Sequence, residues 1–294
     1  MERIWIRQIL YLPFCCFMKK LNEGKQLLLV DIDGTLCDRN NKIPLSASEA
    51  IKKVRSNGHL VYLVTGRALA EIYQDAYDMG FDGIIGGNGS YIMCDNKMIF
   101  QKVIEKDILD KLISWMEDNR IGYYLECNSG LYGNKYLKEK VAKMLFKDNI
   151  SDAKAWLHKY FPDMIYDYEQ DPSDVNKISF VLDDPNELSE AHALFDDIVK
   201  VGSWGVFTGD RFGEFALNNI DKEGSIEMLL KHLGMDWDYT IAFGDNNVDV
   251  MMITKAHIGV AMGNGRDIVK QASDFVTKDV DDNGLAYAIE QIGL

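Results

Sequence analysis

Three short runs, apolar throughout except for Thr240, stand out along the chain, and each run ends at polar residues. They cover positions 27–30, 60–64 and 240–243. A continuous apolar run of this length, followed by turn-forming residues, is typical of a strand buried on both faces of a parallel sheet. Helical patterns over 45–58 and 68–79 separate such strands. The alternation of strand and helix predicts βαβ units and therefore an α/β fold with a parallel sheet.

The pattern changes after Tyr91, where aromatic residues become dense and strands no longer alternate regularly with helices. Strands in this part are predicted at 92–94, 98–100, 123–125, 178–182, 205–207 and 214–217, and helices at 107–119, 134–147 and 186–199. This pattern favours an inserted α+β module over 93–212. It divides a core domain into the segments 25–92 and 213–294, and residues 1–24 form an N-terminal extension.

The N-terminal extension begins with an apolar and aromatic stretch over 1–17. The stretch is too short to span a bilayer and lacks a clear cleavage site of small residues, so a secretory signal is the weaker interpretation. The favoured explanations are that translation starts at Met18 or that the stretch is loosely attached. We do not expect any other segment to cross a membrane.

Composition excludes several classes of partner. The 294 residues carry a formal net charge of -14 and contain no run of basic residues, which argues against binding nucleic acid or an anionic membrane. Five cysteines without C-x-x-C spacing argue against a disulfide framework or a zinc site. This cysteine usage predicts a reducing compartment, and we expect a cytoplasmic protein that acts as a monomer or homodimer.

Reactive side chains follow the three apolar runs. Asp31 and Asp33 come after the first run, Thr65 after the second and Asp245 after the third. The carboxyl ends of parallel strands meet at one edge of a sheet, where ligands bind in such folds. A carboxylate can attack phosphorus, carboxylates bind Mg²⁺, and the ammonium group of Lys222 can neutralise phosphate charge. Together these groups predict phosphoryl transfer.

Each of these residues also has an ordinary structural explanation when taken alone. An aspartate or threonine at a strand end often caps a turn or helix, and Lys222 alone is typical of a solvated surface lysine. Asp249 can stabilise the N-terminus of its helix. The joint pattern, with the groups in order and each at a strand end, favours the catalytic interpretation.

Four segments resemble the motifs of the haloacid dehalogenase superfamily of phosphatases. They are Asp31-Ile32-Asp33-Gly34-Thr35, Thr65-Gly66-Arg67, Lys222 and the stretch from Gly244-Asp245 to Asp249. Asn88-Gly89, Met262-Gly263-Asn264 and Asp281-Asp282-Asn283-Gly284 resemble the Cof-type branch. The resemblance covers the chain from about Lys25 to its end. It implies a Rossmann-like, doubly wound parallel core with an inserted α+β cap domain.

The resemblance also implies a role for each motif residue. Asp31 corresponds to the nucleophile and a metal ligand, and Asp33 to the general acid and base, whose backbone carbonyl also faces Mg²⁺. Asp245 corresponds to a further ligand of Mg²⁺. Asp249 corresponds to a residue that supports the metal site without binding the ion directly. The residues expected to bind the phosphoryl group are Thr65, Gly66, Lys222 and Asn247.

One position departs from the family pattern. Val248 stands where the branch usually has asparagine, so an amide contact is either missing or supplied by Asn247. Candidates for contacting the substrate are Asn88, Tyr123, Tyr124, Glu126, Tyr132 and Asn264, although core packing also accounts for the tyrosines.

The expected function is hydrolysis of a small phosphate monoester, such as a sugar phosphate or a phosphorylated cofactor, by a Mg²⁺-dependent phosphatase that forms an aspartyl-phosphate. Three alternatives remain open from the sequence. They are a phosphomutase of the same superfamily, a receiver-like signalling module that is itself phosphorylated, and a weakly catalytic, ligand-binding member.

Overall fold

A computed structural model describes residues 19–203 and 211–294. The strands are β1 (Leu27–Val30), β2 (Leu60–Val64), β3 (Gly83–Gly86), β4 (Tyr91–Cys94), β5 (Lys97–Gln101), β6 (Gly122–Cys127), β7 (Leu131–Gly133), β8 (Met164–Ile165), β9 (Val175–Val181), β10 (Val199–Ser203), β11 (Phe212–Leu217), β12 (Thr240–Gly244), β13 (Ile258–Ala261) and β14 (Phe275–Val276). The helices are α1 (Leu45–Ser56), α2 (Gln74–Asp78), α3 (Lys106–Asp118), α4 (Leu137–Leu145), α5 (Ile150–Tyr160), α6 (Asn186–Phe195), α7 (Lys222–Leu233), α8 (Val250–Lys255), α9 (Asp267–Ala272) and α10 (Gly284–Ile292).

The strands form two sheets. The larger has the order β14-β13-β12-β1-β2-β3-β4-β5, and the smaller has the order β10-β11-β9-β6-β7-β8. β1 pairs in parallel with both β2 and β12, and all four of its residues are buried, as their apolar character predicts. The α/β class and the parallel sheet are therefore confirmed.

The chain divides into two compact units. The first contains the described residues up to Val64, together with Asp78–Gly83 and Ile226–Leu294. The second contains Thr65–Tyr77 and Ile84–Ser225. The parallel strands β14, β13, β12, β1 and β2 belong to the first unit, and the six-stranded sheet belongs to the second. The domain boundaries at 92 and 213 stay a prediction.

Each face of the six-stranded sheet carries its own apolar cluster. On one face, Leu125, Ile178 and Phe215 are among the residues that pack with those of α3 and α6. On the other face, Tyr124 and Val181 pack with residues of α4 and α5. The alternation of side chains along each strand directs neighbouring residues to opposite faces, which produces two clusters from one sheet.

Several predicted elements differ in extent from the observed ones. The helix expected over 68–79 is wrong, because a 3₁₀ turn at Leu69–Glu71 ends in extended backbone at Ile72, before α2 begins. The Arg67 guanidinium donates to the Glu71 carbonyl, which uses an acceptor that a continuing helix would need. The strand expected near 205–207 and the stretch 1–17 lie outside the described residues. Within 19–203 and 211–294, no helix has the length and apolarity needed to cross a membrane.

Candidate active site

The first unit contains the end of the parallel sheet at which the predicted acidic residues lie. In the register of this sheet Val30 stands opposite Phe243 of β12 and Leu63 of β2. The Asp31 N–H donates to the Phe243 carbonyl at 3.1 Å, which extends the pairing one residue beyond β1. This bond fixes the buried Asp31 beside Phe243 at the end of β12, and Asp245 follows Phe243 by two residues.

Three carboxylates converge at this edge. Asp31, Asp245 and Asp249 each offer an oxygen, and these oxygens lie within 4.8 Å of one another. Mg²⁺ binds oxygen at about 2.0–2.1 Å, so oxygens on opposite sides of one ion are about 4 Å apart. The three oxygens are therefore donors of the kind that Mg²⁺ prefers, and their spread of up to 4.8 Å is slightly wider than that around a bound Mg²⁺.

Two glycines allow the carboxylates to pack closely. Gly34 has a φ of +81°, and a Cβ at this position would lie 2.5 Å from Oδ2 of Asp245. A Cβ on Gly244 would lie 2.5 Å from the Cβ of Asp249. A larger residue at either position would displace one of the acidic side chains, so both glycines shape the candidate metal site.

Asp249 holds the loop that carries Asp245. Its side chain is fully buried, and Oδ2 accepts the backbone N–H groups of Asp245 at 3.2 Å and Asn246 at 3.0 Å. The Asp245 carbonyl accepts the Arg266 N–H at 2.9 Å. These bonds place Asp249 where it can orient Asp245 as well as contribute charge.

Asp33 lies in a tight turn that follows β1. Its side chain is exposed, in contrast to the buried Asp31. The Ile32 carbonyl accepts the N–H groups of Leu36 and Cys37, each at 3.0 Å, which fixes the turn. An exposed carboxyl group on a fixed turn is accessible to solvent and to a bound molecule.

Asn264 joins this turn to a distant loop. Its Nδ2 donates to the Gly34 carbonyl at 2.7 Å, and its Oδ1 accepts the Val280 N–H at 2.8 Å. Both ends of the amide are therefore engaged in holding backbone. This arrangement points to a positioning role for Asn264, whereas the sequence analysis placed it among the residues that contact substrate.

The second unit contains the predicted phosphate-binding turn. Thr65 is fully buried, and its Oγ1 accepts the Arg67 N–H at 3.1 Å. The Thr65 carbonyl accepts the Asn88 N–H at 3.2 Å, and a Cβ on Gly66 would lie 2.9 Å from the Asn88 Oδ1. Thr65, Gly66 and Asn88 are thus neighbours within this unit.

Lys222 begins α7, and only 5% of it is exposed. Ser225 in the first turn of this helix donates to the Gly89 carbonyl at 2.7 Å. A Cβ on Gly89 would lie 2.3 Å from the Asp221 carbonyl oxygen. The Asn88-Gly89 turn therefore packs directly against the beginning of α7, which groups Lys222 with the predicted phosphate-binding turn.

The remaining predicted residues have different surroundings. Val248 is 57% exposed, and Asn247 beside it is also exposed at the start of a 3₁₀ turn. Tyr123 and Tyr124 are buried in the two apolar clusters of the second unit. Burial raises the pKa of both phenols above the usual value, so they stay neutral. These positions favour packing roles for the two tyrosines.

Glu126 belongs to a charged cluster that sequence reasoning largely missed. Lys177 lies with its Nζ 3.1 Å from one oxygen of Glu126 and 3.2 Å from one oxygen of Glu214. The Ser179 hydroxyl donates to Glu126. One signal was available in the sequence, because Lys177 adjoins the stretch 178–182 that is predicted as a strand, and a buried lysine requires a partner.

A sequence profile for haloacid dehalogenase-like hydrolases matches residues 28–289. The chain is 27% identical to the 5-amino-6-(5-phospho-D-ribitylamino)uracil phosphatase YcsE of Bacillus subtilis, over 90% of this chain and 94% of that protein. It is 26% identical to the phosphoglycolate phosphatase of Methanobrevibacter smithii, over 91% of this chain and 98% of that one. A crystal structure of a haloacid dehalogenase-like hydrolase from Bacteroides thetaiotaomicron superimposes with a TM-score of 0.76 at 25% identity, and the match covers 92% of this chain and 100% of that chain.

A parallel sheet with carboxylates at its carboxyl edge, together with these matches, defines a phosphoric monoester hydrolase. The chain belongs to the haloacid dehalogenase-like hydrolase family, as a phosphatase of the Cof type. The family resemblance inferred from the motifs is thereby confirmed.

Proposed function

We propose that the protein is a Mg²⁺-dependent phosphatase that hydrolyses a small phosphate monoester through an aspartyl-phosphate on Asp31. The observation that carries this proposal is the convergence of Asp31, Asp245 and Asp249 within 4.8 Å at the end of β1 and β12. Asp31, Asp245 and the Asp33 carbonyl would hold Mg²⁺, with Asp249 behind them. The bound ion would neutralise charge on the phosphoryl group.

The chain's own groups account for the two chemical steps. Asp31 attacks phosphorus and breaks the bond to the leaving oxygen, while Asp33 gives that oxygen a proton. Asp33 then removes a proton from water, which attacks the aspartyl-phosphate and releases inorganic phosphate. We assign Thr65 and Lys222 to holding the phosphoryl oxygens.

We propose a sugar phosphate or a phosphorylated cofactor as the substrate class. The names of two relatives, a phosphoglycolate phosphatase and a phosphoribitylaminouracil phosphatase, support small phosphorylated metabolites. The cysteine pattern supports a cytoplasmic location, where such metabolites are abundant.

The decisive experiment measures turnover of p-nitrophenyl phosphate under three conditions: by the wild type with Mg²⁺, by the wild type after EDTA has removed Mg²⁺, and by the Asp31→Asn variant with Mg²⁺. We expect many turnovers with Mg²⁺, loss of activity with EDTA, and loss of activity in the variant with an unchanged fold. A stable, single phosphorylation without turnover would contradict the proposal and favour a receiver-like module. Transfer of phosphate to a sugar instead of water would identify a phosphomutase.

A further inference from the structure

The second unit contains an open cavity beside the start of α3. The cavity has a volume of about 470 Å³, and it is lined by residues 103–106 and Leu109 on one side and by residues 168–173 on the other. Ligand pockets in proteins usually have volumes of roughly 300–1,000 Å³. All of the lining residues belong to the second unit, so this unit alone forms the cavity. We call it the α3 cavity.

The buried part of the lining is apolar and aromatic. Ile104 and Leu109 are 3% and 4% exposed, and both belong to the apolar cluster between the sheet and α3. Tyr168 adds aromatic surface, and its ring packs edge to face with that of Tyr132, with the ring centroids 5.4 Å apart. Burial raises the pKa of Tyr168 to about 12, so its phenol stays neutral. The apolar body of a ligand can therefore leave water on this side of the cavity.

The exposed part of the lining carries mostly negative charge. Glu105, Glu169 and Asp171 are exposed, and no described residue forms a hydrogen bond or an ion pair with their carboxylates. The lining contains a single ammonium group, that of Lys106, which already pairs with Asp110 at 2.7 Å. The charge that lacks compensation in the α3 cavity is therefore negative.

The Asp171 carboxyl group responds to these charges. Burial raises its pKa above the usual value and the charges of Asp110 and Glu117 raise it further, whereas the charge of Lys106 lowers it. Glu117 is itself paired with Lys135 at 3.0 Å. A positive group in the cavity would stabilise the ionised form of Asp171, and a negative group would be repelled.

Two other kinds of ligand match the α3 cavity less well. The start of a helix attracts anions, but Glu105 at the N-cap of α3 and Asp107 in its first turn already place two carboxylates there. In the part of the chain that the structure describes, the carboxylates of the cavity do not form a group close enough to share one metal ion, in contrast to Asp31, Asp245 and Asp249. A larger, organic cation is the better match.

We propose that the α3 cavity is a binding site for a small organic amine with an apolar body. The protonated amine lies at the exposed side, where Glu169 and Asp171 offer their carboxylates. The apolar body packs against Ile104, Leu109 and Tyr168, and an aromatic ring also attracts a nearby cation. This inference goes beyond the proposed phosphatase function and does not rest on it.

An amide chemical-shift titration of the full chain tests the chemical class of the ligand. Phenethylamine, phenethyl alcohol and phenylacetate share an aromatic body and differ in charge at neutral pH. We expect saturable shifts at residues 103–109 and 168–173, and a Kd for the amine about fivefold lower than that for the alcohol, with phenylacetate the weakest. The proposal would be overturned by equal affinity for the alcohol or the carboxylate, by shifts confined to other residues, or by the absence of saturation.

Two variants test the carboxylates. Asp171→Asn changes one exposed side chain, so the fold should be kept, and the Kd for phenethylamine should rise about fivefold while that for phenethyl alcohol stays the same. Glu169→Gln should act in the same direction. The matched control is Glu139→Gln, which removes an exposed carboxylate from α4 on the opposite face of the sheet and should leave both values unchanged. An unchanged amine Kd in Asp171→Asn, or an equal rise in the control, would contradict the proposed site.

Discussion

Asp249 offers the sharpest test of the candidate metal site, because its carboxylate both holds backbone and faces the other acids. One oxygen accepts two N–H groups, from Asp245 at 3.2 Å and from Asn246 at 3.0 Å, in a fully buried position. A hydrogen bond to a charged group contributes about 1.5–3 kcal/mol. Asp249→Ala removes both bonds and should lower the free energy of unfolding by about 3–5 kcal/mol.

Asp249→Asn separates the structural contribution from the electrostatic one. The amide oxygen can still accept both N–H groups, although neutral bonds are roughly half as strong, so the expected loss is about 1–2 kcal/mol. The negative charge beside Asp31 and Asp245 is lost, and the affinity for Mg²⁺ should fall about 10- to 100-fold.

Urea denaturation measures the first quantity, and titration of p-nitrophenyl phosphate hydrolysis with Mg²⁺ measures the second. Asp267→Asn serves as the control, since it removes an exposed carboxylate from the first turn of α9. We expect the control to match the wild type in both measurements. An Asp249→Asn protein with wild-type Mg²⁺ dependence would refute the assignment of Asp249 to the metal site.

Further predictions concern other residues of the first unit. Gly34→Ala should reduce Mg²⁺-dependent turnover at least about tenfold, since the new methyl group would displace the Asp245 carboxylate. Unchanged turnover would contradict the role of Gly34 in shaping the candidate metal site. Asn264→Ala should lower the free energy of unfolding by about 1–2 kcal/mol and reduce kcat more than it changes KM, because two hydrogen bonds that fix the turn are lost. Burial and the charge of Lys25 lower the pKa of His59, whose Nδ1 accepts a backbone N–H. The unfolded chain therefore binds more protons below pH 6.5, and urea midpoints should fall as the pH drops through this value, less steeply in His59→Gln.

Much of the parallel sheet could be predicted from local sequence, for a physical reason. A strand buried on both faces must be almost entirely apolar, so β1 and β2 appear as unbroken apolar runs and β12 as a run that is apolar after Thr240. The polar residue after each run then falls at the same edge. The convergence of Asp31 with Asp245 follows from these two facts.

Features that depend on distant contacts could not be predicted. The segment 68–79 has a helical composition, but the contact between Arg67 and Glu71 ends the first turn early. The sequence around Asn264 does not show whether its amide binds a substrate or joins two loops. The partners of Lys177 could not be predicted, because they are two glutamates that the pairing of β6 and β11 with β9 brings to it from other strands.

The central position of β1 has a consequence for how the protein is made. One edge of β1 pairs with β2 soon after it in the chain, whereas the other edge waits for β12, whose residues follow roughly 200 positions later. Ribosomes add about 5–20 residues per second, so this edge stays open for about 10–40 s on the nascent chain. During that time one edge of the apolar strand β1 has no partner, and an unpaired strand edge is a template for pairing with another chain until β12 emerges.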